Sequence, residues 1–273
     1  MFGQVSINSF QWRKFTTDTP TTTPGTAITP GTSGKGSWGQ IASALDNDVY
    51  EIWLWVNANN ANSGARTTVV DIGVDPAGGT NYTSVINDII VSEADAAVAG
   101  GRWYRFLFYI KSGSTVGARA YSNNSATVAV AGMFFGLPTH PELLRAGQYS
   151  ETIGTSTYLG TSFTPGTSGA WGSWASLGTT TRPLWHWNLG VGINNGTITS
   201  LMYFVELAVG DGTNYYTIIE KMPIFLKSTN ETLASPMFDN FYEVPAGATL
   251  YVRGSCSGTP VTGFGASAIG IGG

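Results

Sequence analysis

Apolar residues recur at every second position over short stretches, the spacing of a half-buried β-strand rather than of a helix. Tyr50, Ile52, Leu54, Val56 and Ala58 form one such row, and Trp185, Trp187, Leu189, Val191 and Ile193 form another. A third pair sets Tyr104, Phe106, Phe108 and Ile110 against Phe238, Asn240, Tyr242 and Val244, with Asn240 as the exception. Successive strand side chains point to opposite faces, so these rows are the expected core and the residues between them the expected outer face. Turn formers interrupt the rows at Asp75-Pro76-Ala77-Gly78-Gly79, Ser122-Asn123-Asn124, Asn194-Asn195-Gly196 and Gly210-Asp211-Gly212. Only residues 43–48, 92–99 and 141–146 read as helix-like, and all three are short. Many short strands between Gly, Asn and Pro turns predict antiparallel β-sandwich or jelly-roll architecture. Ahead of the rows, residues 1–24 carry Val5 and Ile7, then Phe10 and Trp12; the alternation changes parity at Asn8-Ser9, where a bulge or turn is expected. That segment reads as an added strand or an arm.

The pattern occurs twice. GTAITPGTSG at residues 25–34 returns as GTSFTPGTSG at residues 160–169, an offset of 135. Val70-Asp71-Ile72-Gly73-Val74 matches Val205-Glu206-Leu207-Ala208-Val209 at the same offset, and Gly79-Thr80-Asn81-Tyr82 matches Gly212-Thr213-Asn214-Tyr215 after a short deletion. Residues 112–119 match residues 246–253, ending at Arg119 and Arg253. Colinear matches over the whole length predict tandem domains from an internal duplication: residues 25–136, then a linker at 137–148 (LPTHPELLRAGQ), then residues 149–273. Register decides which side chains face inward, because a one-residue slip inverts a strand. Pairing Trp53 and Trp55 with Trp185 and Trp187 needs an even offset of 132, out of step with the other matches of this region. At offset 135 their counterparts are Asn188 and Gly190. Both indoles are then expected on the outer face of the first copy alone, about 7 Å apart.

Composition supports the β reading. The 273 residues include 36 Gly and 12 Pro, residues that cost about 1 and about 3 kcal/mol in a helix interior. Only 11% are charged, against roughly 25% in an average soluble protein, so Thr, Ser, Asn and Gly must cover the surface. With 17 acidic and 13 basic residues and a net charge of -4, the chain has no basic cluster beyond Arg13-Lys14 to drive counterion release from nucleic acid. Nucleic acid and membrane are therefore not expected partners. The apolar runs are too short to span a bilayer. The opening MFGQVSINSFQWRK has neither the basic region nor the apolar core of a signal peptide. Cys256 has no second cysteine to pair with and is expected to be an inert buried thiol.

Candidate chemistry is sparse. Gly34-Lys35-Gly36-Ser37-Trp38-Gly39 fits a dinucleotide-binding spacing, but no hydrophobic strand leads into it, and the second copy has Gly169-Ala170-Trp171-Gly172-Ser173-Trp174 instead. It reads as a Gly-rich turn. His140 and His186 stand apart, without Cys or carboxylate at ligand spacing, and no GxSxG nucleophile elbow occurs. No catalytic residue, cofactor or metal is expected. Asp71 and Glu206 recur at equivalent places, as do Arg119 and Arg253, which suits structural ion pairs shared by both copies better than a pair of catalytic acids. Each acid should point away from the core. Trp53 and Trp55 are the candidate interface, since paired outward indoles mark an association surface more often than bare solvent-facing area.

At Val70-Asp71-Ile72-Gly73-Val74 followed by Gly79-Thr80, and at Val244-Pro245-Ala246-Gly247-Ala248-Thr249-Leu250-Tyr251-Val252-Arg253, the chain resembles virion structural proteins of tailed bacteriophages. Those proteins carry a "DIGVG" strand and a later "IPAG(S/T)…(A/V)R" strand, often in tandem β-sandwich domains. The first copy departs from the pattern, with Ile110-Lys111-Ser112-Gly113 in the second string. The resemblance implies a particle component, such as a head decoration, tail, baseplate or fibre-attachment protein, and brings no catalytic residues. Its expected partners are other virion proteins and itself, as a trimer or other ring. Its expected location is the virion, assembled in the host cytoplasm. The alternative is a carbohydrate- or host-receptor-binding module taking a host-surface glycan on the outward indoles.

Overall fold

The computed structural model describes residues 12–15, 25–57, 66–93, 102–123, 127–136, 146–154, 160–193, 201–228, 231–232, 239–260 and 263–273. Regular structure among the described residues is entirely β. The first half contributes β1 (Trp12–Phe15), β2 (Thr26–Ile28), β3 (Gly39–Ala42), β4 (Glu51–Asn57), β5 (Arg66–Asp75), β6 (Thr83–Glu93), β7 (Arg102–Phe106), β8 (Thr115–Ser122) and β9 (Val128–Phe135). The second contributes β10 (Tyr149–Ile153), β11 (Thr161–Phe163), β12 (Ala175–Thr179), β13 (Leu184–Ile193), β14 (Leu201–Gly210), β15 (Tyr215–Ser228), β16 (Glu231–Thr232), β17 (Asp239–Val244), β18 (Thr249–Cys256) and β19 (Phe264–Gly272).

Each half is an antiparallel sandwich, and the two share one strand order. In the first, a sheet β1-β9-β4-β7, with β2 also on β9, faces a sheet β3-β8-β5-β6. In the second, β10-β19-β13-β17, with β11 also on β19, faces β12-β18-β14-β15-β16. β1 and β10 take the same place beside the last strand of their half, so the repeated unit begins before the GTAITPGTSG string. Gly25 and Gly160 open the two strings with φ of +105° and +81°. A Cβ on either would meet the backbone carbonyl of Val130 or Ala266 at 2.9 or 2.5 Å, so both the conformation and the close approach require glycine.

The cores form as the alternation dictates. Ile52, Leu54 and Val56 of β4 pack with Val70, Ile72, Phe106, Val116 and Val130. Trp187, Leu189 and Val191 of β13 pack with Val205, Leu207, Val252 and Phe264. Each such aliphatic or aromatic side chain, fully buried, stabilises by about 1.5–3 kcal/mol. Cys256 is buried in the second core.

Several expectations need correction. A bulge between Leu184 and His186 breaks the row of β13. Leu184 therefore enters the core cluster, and Trp185, buried outside it, stacks beside His186 and Phe241; in the first half Val49 likewise enters and Tyr50 is only half-buried. The same shift carries into β17, where Val244 is buried but Tyr242 is 47% exposed. Residues 43–48 are irregular rather than helical, held by backbone bonds between Leu45 and both Gly113 and Ser114. Residues 92–93 end β6; the remainder of the expected helix at 92–99, and residues 141–145 of the last, lie outside the described residues, as do Ala58 and Phe238.

The halves meet asymmetrically. β6 of the first sandwich sits on the outer face of β10, β19 and β13. Ser150 and Thr152 donate hydroxyl hydrogen bonds to the carbonyls of Val85 (2.6 Å) and Asn87 (2.7 Å). The Asn188 amide donates to the carbonyl of Arg105 (3.2 Å). Ile269 and Ile271, on the face of β19 opposite its own core, complete the first core from outside. His186, directly across from Ile271, is fully buried.

Candidate functional site

Two features lie outside the cores. The first is the outer face of β4, β7 and β9. Between the buried Ile52, Leu54 and Val56, Trp53 and Trp55 are half-buried on the opposite face. Register places Trp55 beside Trp103 and Ala131, and Trp53 beside Arg105 and Met133. Trp53 contacts Trp103 edge-on at 6.4 Å and Phe135 at 6.0 Å. Its indole N–H donates to Glu51, which also accepts from Arg105 Nε. Glu51 is fully buried and Arg105 nearly so, so this charge-assisted pair fixes one indole while Trp103 stays 40% exposed.

The second feature occurs in both halves, on the outer face of the smaller first-half sheet and its second-half counterpart. Asp71 lies directly across from Arg119, and Glu206 directly across from Arg253. Arg119 Nε donates to Asp71 at 2.9 Å, and Arg253 Nε to Glu206 at 2.8 Å. Both acids point away from the core, yet both are buried beneath what covers them. In the first half the cover is Lys35, bonded to Asp71 and Asp88, with the guanidinium of Arg119 lying 4.6 Å over Trp38. In the second, Arg253 lies between Trp171 and Trp174, at 4.7 and 4.3 Å. Trp174 stacks on Tyr215 at 4.9 Å, and Tyr251 meets Tyr215 edge-on.

Lys35 and Asp88 did not stand out in the sequence. Asp88 occupies a left-handed bulge of β6, φ +57°, that turns its N–H onto Asp71 at 2.9 Å. Lys221 takes the corresponding bulge of β15 with φ +45°. Lys35 lies in the Gly-rich turn, and its counterpart is Trp171: Gly36 and Gly172, one residue on, make the same approach to the carbonyls of Thr29 and Thr164. The first-half turn thus contributes an ammonium to a buried acid pair. Asp71 accepts from Lys35, from Arg119 of β8 and from the backbone N–H of Asp88 in β6, so its oxygens are occupied by donors from three places in the chain.

Among the described residues no group of three or more His, Cys, Asp or Glu is placed to hold a metal ion, and no helix is long and apolar enough to cross a membrane. No protein-family model and no curated protein matches the chain. Among solved structures it is similar to the N-terminal CBM22-1-CBM22-2 tandem domain of Paenibacillus barcinonensis Xyn10C, at 12% identity and TM-score 0.25, covering 97% of this chain and 92% of that one. It is also similar to the infectious bursal disease virus VP2 subviral particle, at 11% identity, TM-score 0.27 and coverages of 100% and 74%. The PBSX exported protein XepA matches at 11% identity and TM-score 0.22, over 95% of this chain and 86% of that one. Similarities this distant carry no argument about what the chain binds or builds.

Proposed function

We propose that the chain is a non-enzymatic structural component of a bacteriophage virion, acting through protein–protein assembly with itself and with other particle proteins. The observation that carries this reading is the outer face of β4, β7 and β9. Trp53, Trp55, Trp103, Met133 and Phe135 share one sheet face, and none of them is fully buried. Contiguous aromatic area of this kind favours a protein partner. Asp71 and Glu206 are each paired with an arginine, which supports a structural rather than a chemical role. Glycan capture is the weaker reading, because pyranose rings stack on flat, continuous ring faces, and Trp53 and Trp103 are inclined at 64°. The test is to purify particles from the source culture on a density gradient and probe them with antibody raised against the recombinant chain. The chain should co-purify at a fixed stoichiometry and resist high salt; its absence from particles would refute the reading.

A further inference from the structure

We propose that copies of this chain join head to tail: the β15–β17 side of one second half seats on the outer aromatic face of the first half of the next. This rests on the assembly reading and supplies its geometry.

The contact already exists once inside the chain. There, β6 of the first sandwich sits on the outer face of β10, β19 and β13, and Arg105 of the adjoining β7 accepts from Asn188 of β13. Because the halves share one topology, the chain owns two such sides and two such faces; the internal junction uses one of each, and β16 at the end of the second side also reaches β6. The remaining face is that of β4 and β9, and the remaining side is that of β15 and β17. Both present large apolar groups: Trp103 on the first and Tyr242, 47% exposed, on the second, while Phe241 stacks on His186 at the junction face. Strand register equates Phe241 and Tyr242 with Leu107 and Phe108. In the first half those positions are buried, and backbone bonds tie Leu107 and Tyr109 to Gly147 of the following half.

Side-chain volumes fit the second use. At the internal junction the face is small and the side large: a Cβ on Gly190 would meet Ile90 at 3.0 Å. Register makes Trp55 the counterpart of Gly190 and Pro223 that of Ile90. The open pair is therefore reversed, with a large indole on the face and a compact, exposed prolyl ring on the side. Likewise Phe135 stands where Ile271 enters the neighbouring core. Pro223 has no N–H to offer a further strand, and β16 pairs with β15 at Leu226 and Ser228, so the side is suited to packing on a face rather than to edge-to-edge strand addition. A contact between two different surfaces repeats without using itself up, and builds a closed ring or a filament.

The decisive experiment uses the full chain in sedimentation velocity from about 1 to 100 µM, the range where a specific interface of this kind registers. Trp55→Glu/Trp103→Glu blocks the face, and Pro223→Glu/Tyr242→Glu blocks the side. Each is expected to weaken self-association about 100-fold or more and leave monomer. Mixed in equal amounts they should form a one-to-one dimer and nothing larger, since one intact face and one intact side remain. Trp103→Ser and Tyr242→Ser, at exposed positions, repeat the test should a double variant lose its thermal transition. A wild-type monomer at the top concentration, a side variant that still pairs, or a mixture that stays monomeric would each overturn the proposal. A chain that is monomeric alone but present in purified particles removes this contact and leaves the virion reading intact; an oligomer absent from particles does the reverse.

Discussion

The two outer clusters solve one problem with different chemistry. In both halves an acid and an arginine face each other on adjacent strands, outside the core, where a buried carboxylate must be compensated. The first half closes the cluster with charge: Lys35 bridges Asp71 and Asp88, and Arg119 completes a neutral set of two acids and two bases. The second closes it with aromatic faces: Trp171 replaces the ammonium, the bulge residue becomes Lys221, and Arg253 is held between two indoles. The surrounding surface follows suit. Tyr82 lies against Gly117, where a Cβ would come within 3.0 Å of its ring; the counterpart of Gly117 is Tyr251, and Tyr215 packs beside it. After duplication the acid–arginine pair is common to both halves, and its cover differs.

The largest expected effect breaks the acid in each half. Asp71→Ala leaves Lys35 and Arg119 facing a single remaining acid in a covered site, and should cost about 3–5 kcal/mol. Glu206→Ala should cost less, about 1–3 kcal/mol, because Arg253 keeps both indoles and, among the described residues, no second cation shares the acid. Urea denaturation of the two variants measures the difference. Equal losses would mean that the aromatic cover contributes nothing the charges do not.

A smaller effect comes from transplanting one solution into the other half. Lys35→Trp alone leaves Asp88 without its cation, and Asp88→Lys alone sets a third positive charge beside Lys35 and Arg119. The double variant recreates the residue types of the second half. The double-mutant cycle should therefore show the pair less damaging than the sum of the singles by about 1–3 kcal/mol. Additive losses would show that the two positions belong to independent environments.

These clusters also show where sequence reasoning stops. Asp71, Arg119, Glu206 and Arg253 stand out because charges are few and these four recur at matching places, and direct cross-strand register brings them together. Lys35 and Asp88 recur as different residues, Trp171 and Lys221, so no repeated letter marks them. Their offsets also slip to 136 and 133 through a longer turn and a shorter loop. The row of β4 is legible from Ile52 to Val56, where nothing interrupts the alternation, but before it Val49 and not Tyr50 takes the inward place. In β13 a bulge, invisible to a period-2 pattern, likewise gives Leu184 the inward place and leaves Trp185 buried but outside the second core cluster. Asp71 and Glu206 lie off the core face, and their burial involves Lys35, Trp38, Trp171 and Trp174, which reach over from turns distant in sequence.

The smallest effect separates the two halves at a turn. Asp75 accepts the backbone N–H of Asn81 at 2.8 Å, and Asp211 accepts that of the equivalent Asn214 at 2.7 Å. The second-half turn is shorter, so its acid moves one place along and becomes exposed, while Asp75 is buried. The amide N–H groups of Asn214 and then Thr213 hold the Asp211 carboxyl below the usual carboxylate range. A folded-state value below the unfolded one favours folding once pH exceeds the unfolded value of about 3.9. That contribution is lost as pH falls through the folded value. Asp211→Asn should therefore be slightly less stable than wild type at pH 7, and the gap should close on acidification through the carboxylate range, because the protonated wild-type side chain no longer offers the charged acceptor. Urea midpoints of the two proteins, compared at neutral pH and at successive steps down that range, check the sign. A gap that widens with acid would show that Asp211 holds the turn by something other than its charge.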